Sequence, residues 1–346
     1  MGLNLAPRDI ALQHGRAPRP LPLFLEMLRE MQREDPAMAR RALLGLDRYA
    51  RETRAPPPQE KPNIARVCGA ALRDHGGSGP FVVLVPSLIN PPHVLDLPGQ
   101  SLAAAVAAQH HVLLVDWGAA ADRTGLDLGE HVAALLVPLL RAIGESAALV
   151  GYCVGGTMAL AAANLTPVRR IATLASPWRF DQYPLDARRS LGELWTQARP
   201  AAEAFGVLPT EFLQAAFWSL DPRGIVAKFA RLASEPGGSE AVRRFVAIED
   251  WANDGEPLPR PAARELIEDL FLGDRPMRGE WRVGGRTVRP DPCPALHFTA
   301  RADRIVPAAS APPGPTHAVA SGHVGMVVGS GAPAALHRPL LAFLGQ

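Results

Sequence analysis

Residues 147–165 read AALVGYCVGGTMALAAANL, with GYCVGG (Gly151–Gly156) at their centre. The apolar run AALV reads as a buried strand, the glycines as a turn, and TMALAAANL, built largely of strong helix formers, as a helix. A turn of the form glycine, any residue, nucleophile, any residue, glycine between strand and helix lifts its central side chain out of the head of a sheet. Here that side chain is Cys153.

The same rhythm extends outward in both directions. FVVLVP (81–86), HVLLVDW (111–117), AALVG (147–151), RIATLAS (170–176), ALHFTA (295–300) and THAVAS (316–321) read as strands. GQSLAAAVAAQH, LGEHVAALLVPLLRAIG and GTMALAAANL between them read as helices. Alternation of this kind predicts an α/β protein with a mostly parallel central sheet and helices on both faces. It stops after Ser176 and resumes at Cys293, so residues 177–292 are expected to form a cap or lid inserted over the site. The core is then 63–176 with 293–346. Residues 1–62 form an N-terminal helical segment and linker: 21–50 carry apolar residues at roughly helical spacing, interrupted at Asp35-Pro36, and RAPPPQEKP (54–62) cannot continue a helix.

Bulk composition narrows the partners. The 346 residues can bury a large core. With 36 Lys and Arg against 34 Asp and Glu, a net charge of +2 provides no electrostatic basis for nucleic acid or an anionic membrane as the main partner. The three cysteines, Cys68, Cys153 and Cys293, are widely spaced and form no C-x-x-C pair, and the amino-terminal stretch has no secretory pattern; a cytoplasmic setting with free thiols is expected. AALLVPLL is broken by Pro138, so no transmembrane segment is expected. No cofactor or metal is expected either.

A nucleophile at such an elbow needs a base to take its proton and a third group to orient the base. In α/β-hydrolases the three follow in the order nucleophile, acid, histidine, the last two on loops after late strands. Asp303 in ALHFTARADRIVP and His323 in THAVASGHVGMVVG satisfy that order. Asp303 is preferred to Asp291 and Asp254 because it directly follows a strand, and His297, alternating within a strand, reads as core. Thiols at a helix N-terminus beside a histidine give up their proton more readily than free ones. A sulfur nucleophile exchanges one thioester for another at little cost in free energy, so the cysteine suits acyl transfer from a thioester. Oxyanion stabilisation is expected from the backbone N–H of Val154 and from the VPSLINPP loop at Ile89 N–H, with Leu88 as the near alternative.

These residues resemble the polyhydroxyalkanoate synthase family, cysteine-dependent enzymes of the α/β-hydrolase fold that polymerise (R)-3-hydroxyacyl-CoA. VLVPSLINPPHVLDLPGQSL is similar to the family's oxyanion loop, GYCVGGT to its nucleophile box, and ADRIVP and SGHVG to its acid and histidine motifs. VAIEDWANDGEPLPRPAARELIEDLFLGDRPMRGEWRVGGRTV is similar to its cap segment. The similarity runs from about residue 80 to 346, and the length is that of the short synthases that work with a small second subunit.

The resemblance implies that Cys153 carries the acyl chain, that His323 deprotonates the thiol and the incoming 3-hydroxyl, and that Asp303 supports His323. It further implies CoA thioester as substrate rather than cofactor, a growing polyester, a homodimer or an accessory subunit, and association with polymer granules. One departure is Arg304, where the family often has histidine after the aspartate. Two other readings stay open: a thioesterase or depolymerase using the same triad with water, and an inactive homologue that binds subunits or granules.

Overall fold

The computed structural model describes residues 17–55 and 60–346; residues 1–16 and the middle of the RAPPPQEKP linker lie outside the described residues. The chain divides into two compact units, one comprising Met1–Gln59 with Leu213–Asp254, the other Glu60–Phe212 with Gly255–Gln346.

The larger unit is organised by an eight-stranded sheet. Its strands are β1 (Asn63–Val67), β2 (Ala70–Gly76), β3 (Phe81–Val85), β4 (His111–Asp116), β5 (Ala148–Tyr152), β6 (Ile171–Leu174), β7 (Ala295–Ala300) and β8 (Thr316–Val319). Their order is β1-β2-β4-β3-β5-β6-β7-β8, parallel from β4 to β8 and antiparallel at the β1 and β2 edge. This is the α/β arrangement expected from the alternation. Parallel strands are covered on both faces, so β3 to β6 carry almost uninterrupted apolar residues, with Val82–Val85, Val112–Val115 and Leu149–Val150 all buried. The helical run 128–141 widens to π-type turns over His131–Leu136, just before Pro138, which has no N–H and crowds the carbonyl four residues back.

All six strands expected from sequence are present, and the structure adds two to this sheet. β1 and β2 form a hairpin joined by Cys68 and Gly69, both with positive φ (46° and 88°), the conformation of a two-residue type I′ turn. Cys-Gly is not one of the Asn-Gly or Asp-Gly pairs that advertise this turn, and the partly exposed strands lack a continuous apolar run. Arg73 of β2 fastens the hairpin to the sheet by donating to Asp116 at 2.8 and 3.0 Å.

In the smaller unit the expected break at Asp35-Pro36 separates two helices, Leu21–Glu34 and Pro36–Arg51. Asp35 caps the second by accepting from Met38 N–H at 2.9 Å. Phe24, Met27, Leu28 and Met31 fall at i, i+3, i+4 and i+7 and bury one face of the first helix. They pack with Trp218, Val226, Phe229, Val242 and Val246, residues of the segment expected as a cap. Phe229 is the hub, meeting Phe24, Tyr49 and Phe245 edge-on with centroids 4.8, 5.9 and 5.3 Å away. The remaining parts of that segment, 177–212 and 255–292, belong to the larger unit.

Two helices of the smaller unit approach closely at Gly45, where a β-carbon would lie 1.9 Å from the Phe229 carbonyl oxygen. Alanine in an exposed helix is favoured over glycine by about 1 kcal/mol. Here the obstacle is backbone and cannot rotate away, so Gly45→Ala is expected to destabilise by about 1–3 kcal/mol, the usual range for overpacking. The check is the urea unfolding midpoint, with exposed Leu44→Ala as a control expected to shift stability by less than about 0.5 kcal/mol.

Candidate active site

β5 delivers the chain into the elbow, and the helix Val154–Ala163 begins immediately after Cys153. Cys153 has φ 55° and ψ −133°, a conformation that costs a side-chain-bearing residue about 1–3 kcal/mol and persists only where the surroundings enforce it. Enforcement here comes from close packing. A β-carbon on Gly155 would lie 2.2 Å from Val85 O, and one on Gly156 would lie 1.9 Å from Ser176 Oγ. The glycines thus let the helix lie directly on the ends of β3 and β6. Thr157 Oγ1 donates to Pro177 O at 2.6 Å and Cys153 N–H to Leu174 O at 2.9 Å, fastening the turn from both sides.

The register of the parallel strands assembles the rest. Tyr152 pairs with Leu174, Leu174 with Phe298, and Ala300 with Val319, so the loops after β5, β7 and β8 emerge at one carboxyl edge of the sheet. Asp303 and His323 meet there. His323 Nδ1 lies 2.7 Å from Asp303 Oδ2, and Asp303 Oδ1 accepts from the N–H groups of Ile305 and Val306, both at 2.8 Å. These backbone donors hold the carboxylate in position, and its side chain is fully buried.

Burial alone would push the His323 imidazole toward its neutral form, but its interactions with Cys153 and the Asp303 carboxylate overcome it and raise the pKa to about 10. Elsewhere burial acts without such partners. It pushes the Cys293 thiol up to about 11 and His297 down to about 4. His297 is a satisfied core residue, hydrogen-bonded with Thr173 Oγ1 at 2.9 Å and Pro313 O at 3.2 Å. Asp291 is largely exposed and faces Arg289, while Asp254 belongs to the smaller unit.

Of the expected oxyanion donors, Val154 opens its helix, so its N–H has no acceptor within that helix. Ile89 N–H instead donates to Ser87 Oγ at 3.2 Å, while Leu88 N–H has no acceptor among the described residues. The loop itself is pinned, since Pro86 O accepts from Trp117 Nε1 at 3.1 Å and Ile89 O from Glu256 N–H at 3.0 Å.

Two tyrosines at the site were missed in the motif reading. Tyr152 donates its hydroxyl to His323 O at 3.3 Å and lies against the imidazole with centroids 5.1 Å apart. Its position beside the nucleophile was the available signal. Tyr183 comes from the loop after β6, where no motif marks it. Among the described residues no cluster of three His, Cys, Asp or Glu could hold a metal ion, and no helix is long and apolar enough to cross a membrane.

Two measurements test this geometry. Gly156→Ala is expected to destabilise the protein, and Ser176→Gly, which removes the Oγ and Cβ in the way, to restore part of the loss; additive effects in the double-mutant cycle would contradict the packing account. In 15N NMR titrations the His323 ring is expected to remain protonated to about pH 10. Cys153→Ala and Asp303→Asn should each lower that value, because each removes a partner that raises it while burial persists; an unchanged titration in both would exclude the proposed balance.

No family model matches the chain. It is 29% identical over 271 residues to the poly(3-hydroxyalkanoate) polymerase subunit PhaC of Haloferax mediterranei, covering 72% of this chain and 55% of that protein. It is 24% identical over 291 residues to the protein of the same name from Haloarcula marismortui, covering 77% and 61%. The chain thus spans little more than half the length of these curated relatives. Among solved structures, epoxide hydrolase A from Mycobacterium thermoresistibile superposes with a TM-score of 0.52 at 22% identity, covering 83% of this chain and 98% of that one. The chain has the α/β-hydrolase fold and, over about three quarters of its length, is similar to poly(3-hydroxyalkanoate) polymerase subunits.

Proposed function

We propose that this protein is an acyltransferase that takes (R)-3-hydroxyacyl groups from CoA onto Cys153 and passes them to a hydroxyl acceptor, extending a polyester. The observation that carries this reading is a thiol at a strained elbow in the same site as a buried, aspartate-oriented histidine. The names of the relatives support polyester synthesis, and their designation as subunits supports a role within a larger enzyme.

The chemistry follows from the positions. Cys153 Sγ attacks the thioester carbonyl; Val154 N–H and Leu88 N–H receive the negative oxygen; CoA leaves as a thiolate and takes a proton from His323. A ring held protonated at neutral pH already carries the proton that this leaving group needs. In the second half-reaction His323 Nε2 accepts the proton of an incoming 3-hydroxyl, whose oxygen attacks the acyl carbonyl and displaces Sγ. Asp303 stays ionised and holds Nδ1–H throughout. The first exchange preserves a thioester, and formation of the oxyester in the second drives the sequence forward.

Purified protein given (R)-3-hydroxybutyryl-CoA is expected to release CoA with insoluble polymer. CoA with free acid alone would reject the synthase reading in favour of hydrolysis. Cys153→Ala should abolish CoA release, and Cys153→Ser should keep the fold and leave at most a trace. Mass spectrometry should find both the acyl group and iodoacetamide on Cys153 in preference to Cys68 and Cys293; equal labelling of the three, or unchanged turnover in Cys153→Ala, overturns the proposal.

A further inference from the structure

Trp117 follows β4 directly, in HVLLVDW (111–117), and only 3% of the residue is exposed. β4 runs parallel beside β3, so its carboxyl end brings Trp117 next to the chain that leaves β3, the VPSLINPP loop. There the indole Nε1–H donates to Pro86 O at 3.1 Å in a buried hydrogen bond. The indole is held by its own neighbours. It meets His131 edge-on (centroids 6.1 Å, 77° between planes), and His131 is fixed in turn by Asp127 O, 2.6 Å from Nδ1, and Arg123 Nη1, 3.2 Å from Nε2. Burial drives the His131 pKa down to about 4, so at neutral pH the imidazole is uncharged, Nδ1–H donating to the carbonyl and Nε2 accepting from the guanidinium.

The Pro86 carbonyl touches the elbow as well. A β-carbon on Gly155 would lie 2.5 Å from Pro86 O and 2.7 Å from Pro86 C, so the first turn of the elbow helix rests on this peptide group. Gly155 adjoins Val154, the first oxyanion donor, and Leu88, whose N–H has no acceptor among the described residues, lies two residues beyond Pro86. The Pro86–Ser87 peptide is thus the junction between the two donors. Because a peptide unit is planar, a bond to its oxygen sets the orientation of the whole unit, and so of the next unit, which carries Leu88 N–H. On the far side of Leu88 the loop is held by Ser87 Oγ at Ile89 N–H and by Glu256 N–H at Ile89 O.

Phenylalanine could pack against His131 without a polar group to satisfy; the indole adds one donor, and that donor goes to the loop that has to present an N–H to a developing charge. We propose that Trp117 is a positioning residue, whose bond to Pro86 O aims Leu88 N–H at the oxygen that Val154 N–H also receives. This deepens the acyl-transfer reading above and rests on it. Removing an oxyanion donor outright slows an enzyme by about 100–1,000-fold, and a donor that is present but misaimed loses part of that.

The test follows Cys153 by intact mass under two reagents. Acylation by (R)-3-hydroxybutyryl-CoA passes through an oxyanion, whereas iodoacetamide alkylation displaces iodide from a saturated carbon and forms none. The variants are Trp117→Phe and a chain with benzothienylalanine at position 117, which keeps the shape of the indole and has sulfur in place of N–H. In both, single-turnover acylation at saturating thioester is expected to fall by about 10–100-fold, while the half-saturating concentration and the alkylation rate stay within about twofold. Unchanged acylation, or acylation and alkylation falling together, overturns the role of Trp117. A loss in Trp117→Phe that the benzothienylalanine chain does not share assigns the effect to packing and overturns it too. Each of these outcomes leaves the acyl-transfer reading intact; a wild type that is alkylated but never acylated overturns both.

Discussion

Contact between the elbow helix and the ends of two strands is the constraint on which the site depends. With no β-carbon at Gly155 or Gly156, Val154–Ala163 can lie against Val85 O and Ser176 Oγ at distances no other residue permits. That approach leaves the connecting residue no relaxed conformation, and Cys153 is held with positive φ at the head of the sheet. Strain of this kind is retained where surrounding packing exceeds its cost. The sheet then does the assembly: adjacent parallel strands in register place the loops that bear Asp303 and His323 at the same edge.

Electrostatics at this edge are a contest between burial and proximity. His297 and His323 are both buried histidines of the larger unit, yet one is pushed down and the other up. The difference is the company they keep. His297 has only neutral hydrogen-bond partners, whereas His323 has a carboxylate fixed by two backbone N–H groups and the Cys153 side chain acting on the same ring. Cys293 makes the complementary point, since a thiol buried without a histidine is driven toward its neutral form even with Arg170 nearby. The same residue types therefore interact as a pair at one place and stand apart in the core at another.

Aromatic residues of the segment between β6 and β7 pack against one another within the larger unit. Phe180, Tyr183 and Phe271 interlock, and Trp281 donates to Glu265 Oε1 at 2.7 Å while Glu265 Oε2 accepts from Gly129 N–H at 3.0 Å. That buried carboxylate ties the segment to the helical run beginning at Leu128. The smaller unit has a separate logic: its N-terminal helices bury their apolar faces against helices contributed by residues 213–254.

The parallel sheet, the elbow and the order of Cys153, Asp303 and His323 were legible in the chain because each rests on a local signal. Apolar runs of strand length, glycines at fixed offsets and polar residues at strand ends are all short-range patterns. The β1 and β2 hairpin was hidden because its Cys-Gly turn and half-exposed strands carry no distinctive pattern. The engagement of Ile89 N–H by Ser87 was hidden because a loop's hydrogen bonds depend on its folded path. Tyr183 escaped for a different reason: no motif marks it, and its burial against Phe180 and Phe271 is set by the elements packed around it. Residue order therefore determined which chemistry the chain could attempt, and tertiary packing alone decided which of its histidines, thiols and tyrosines stand where that chemistry can occur.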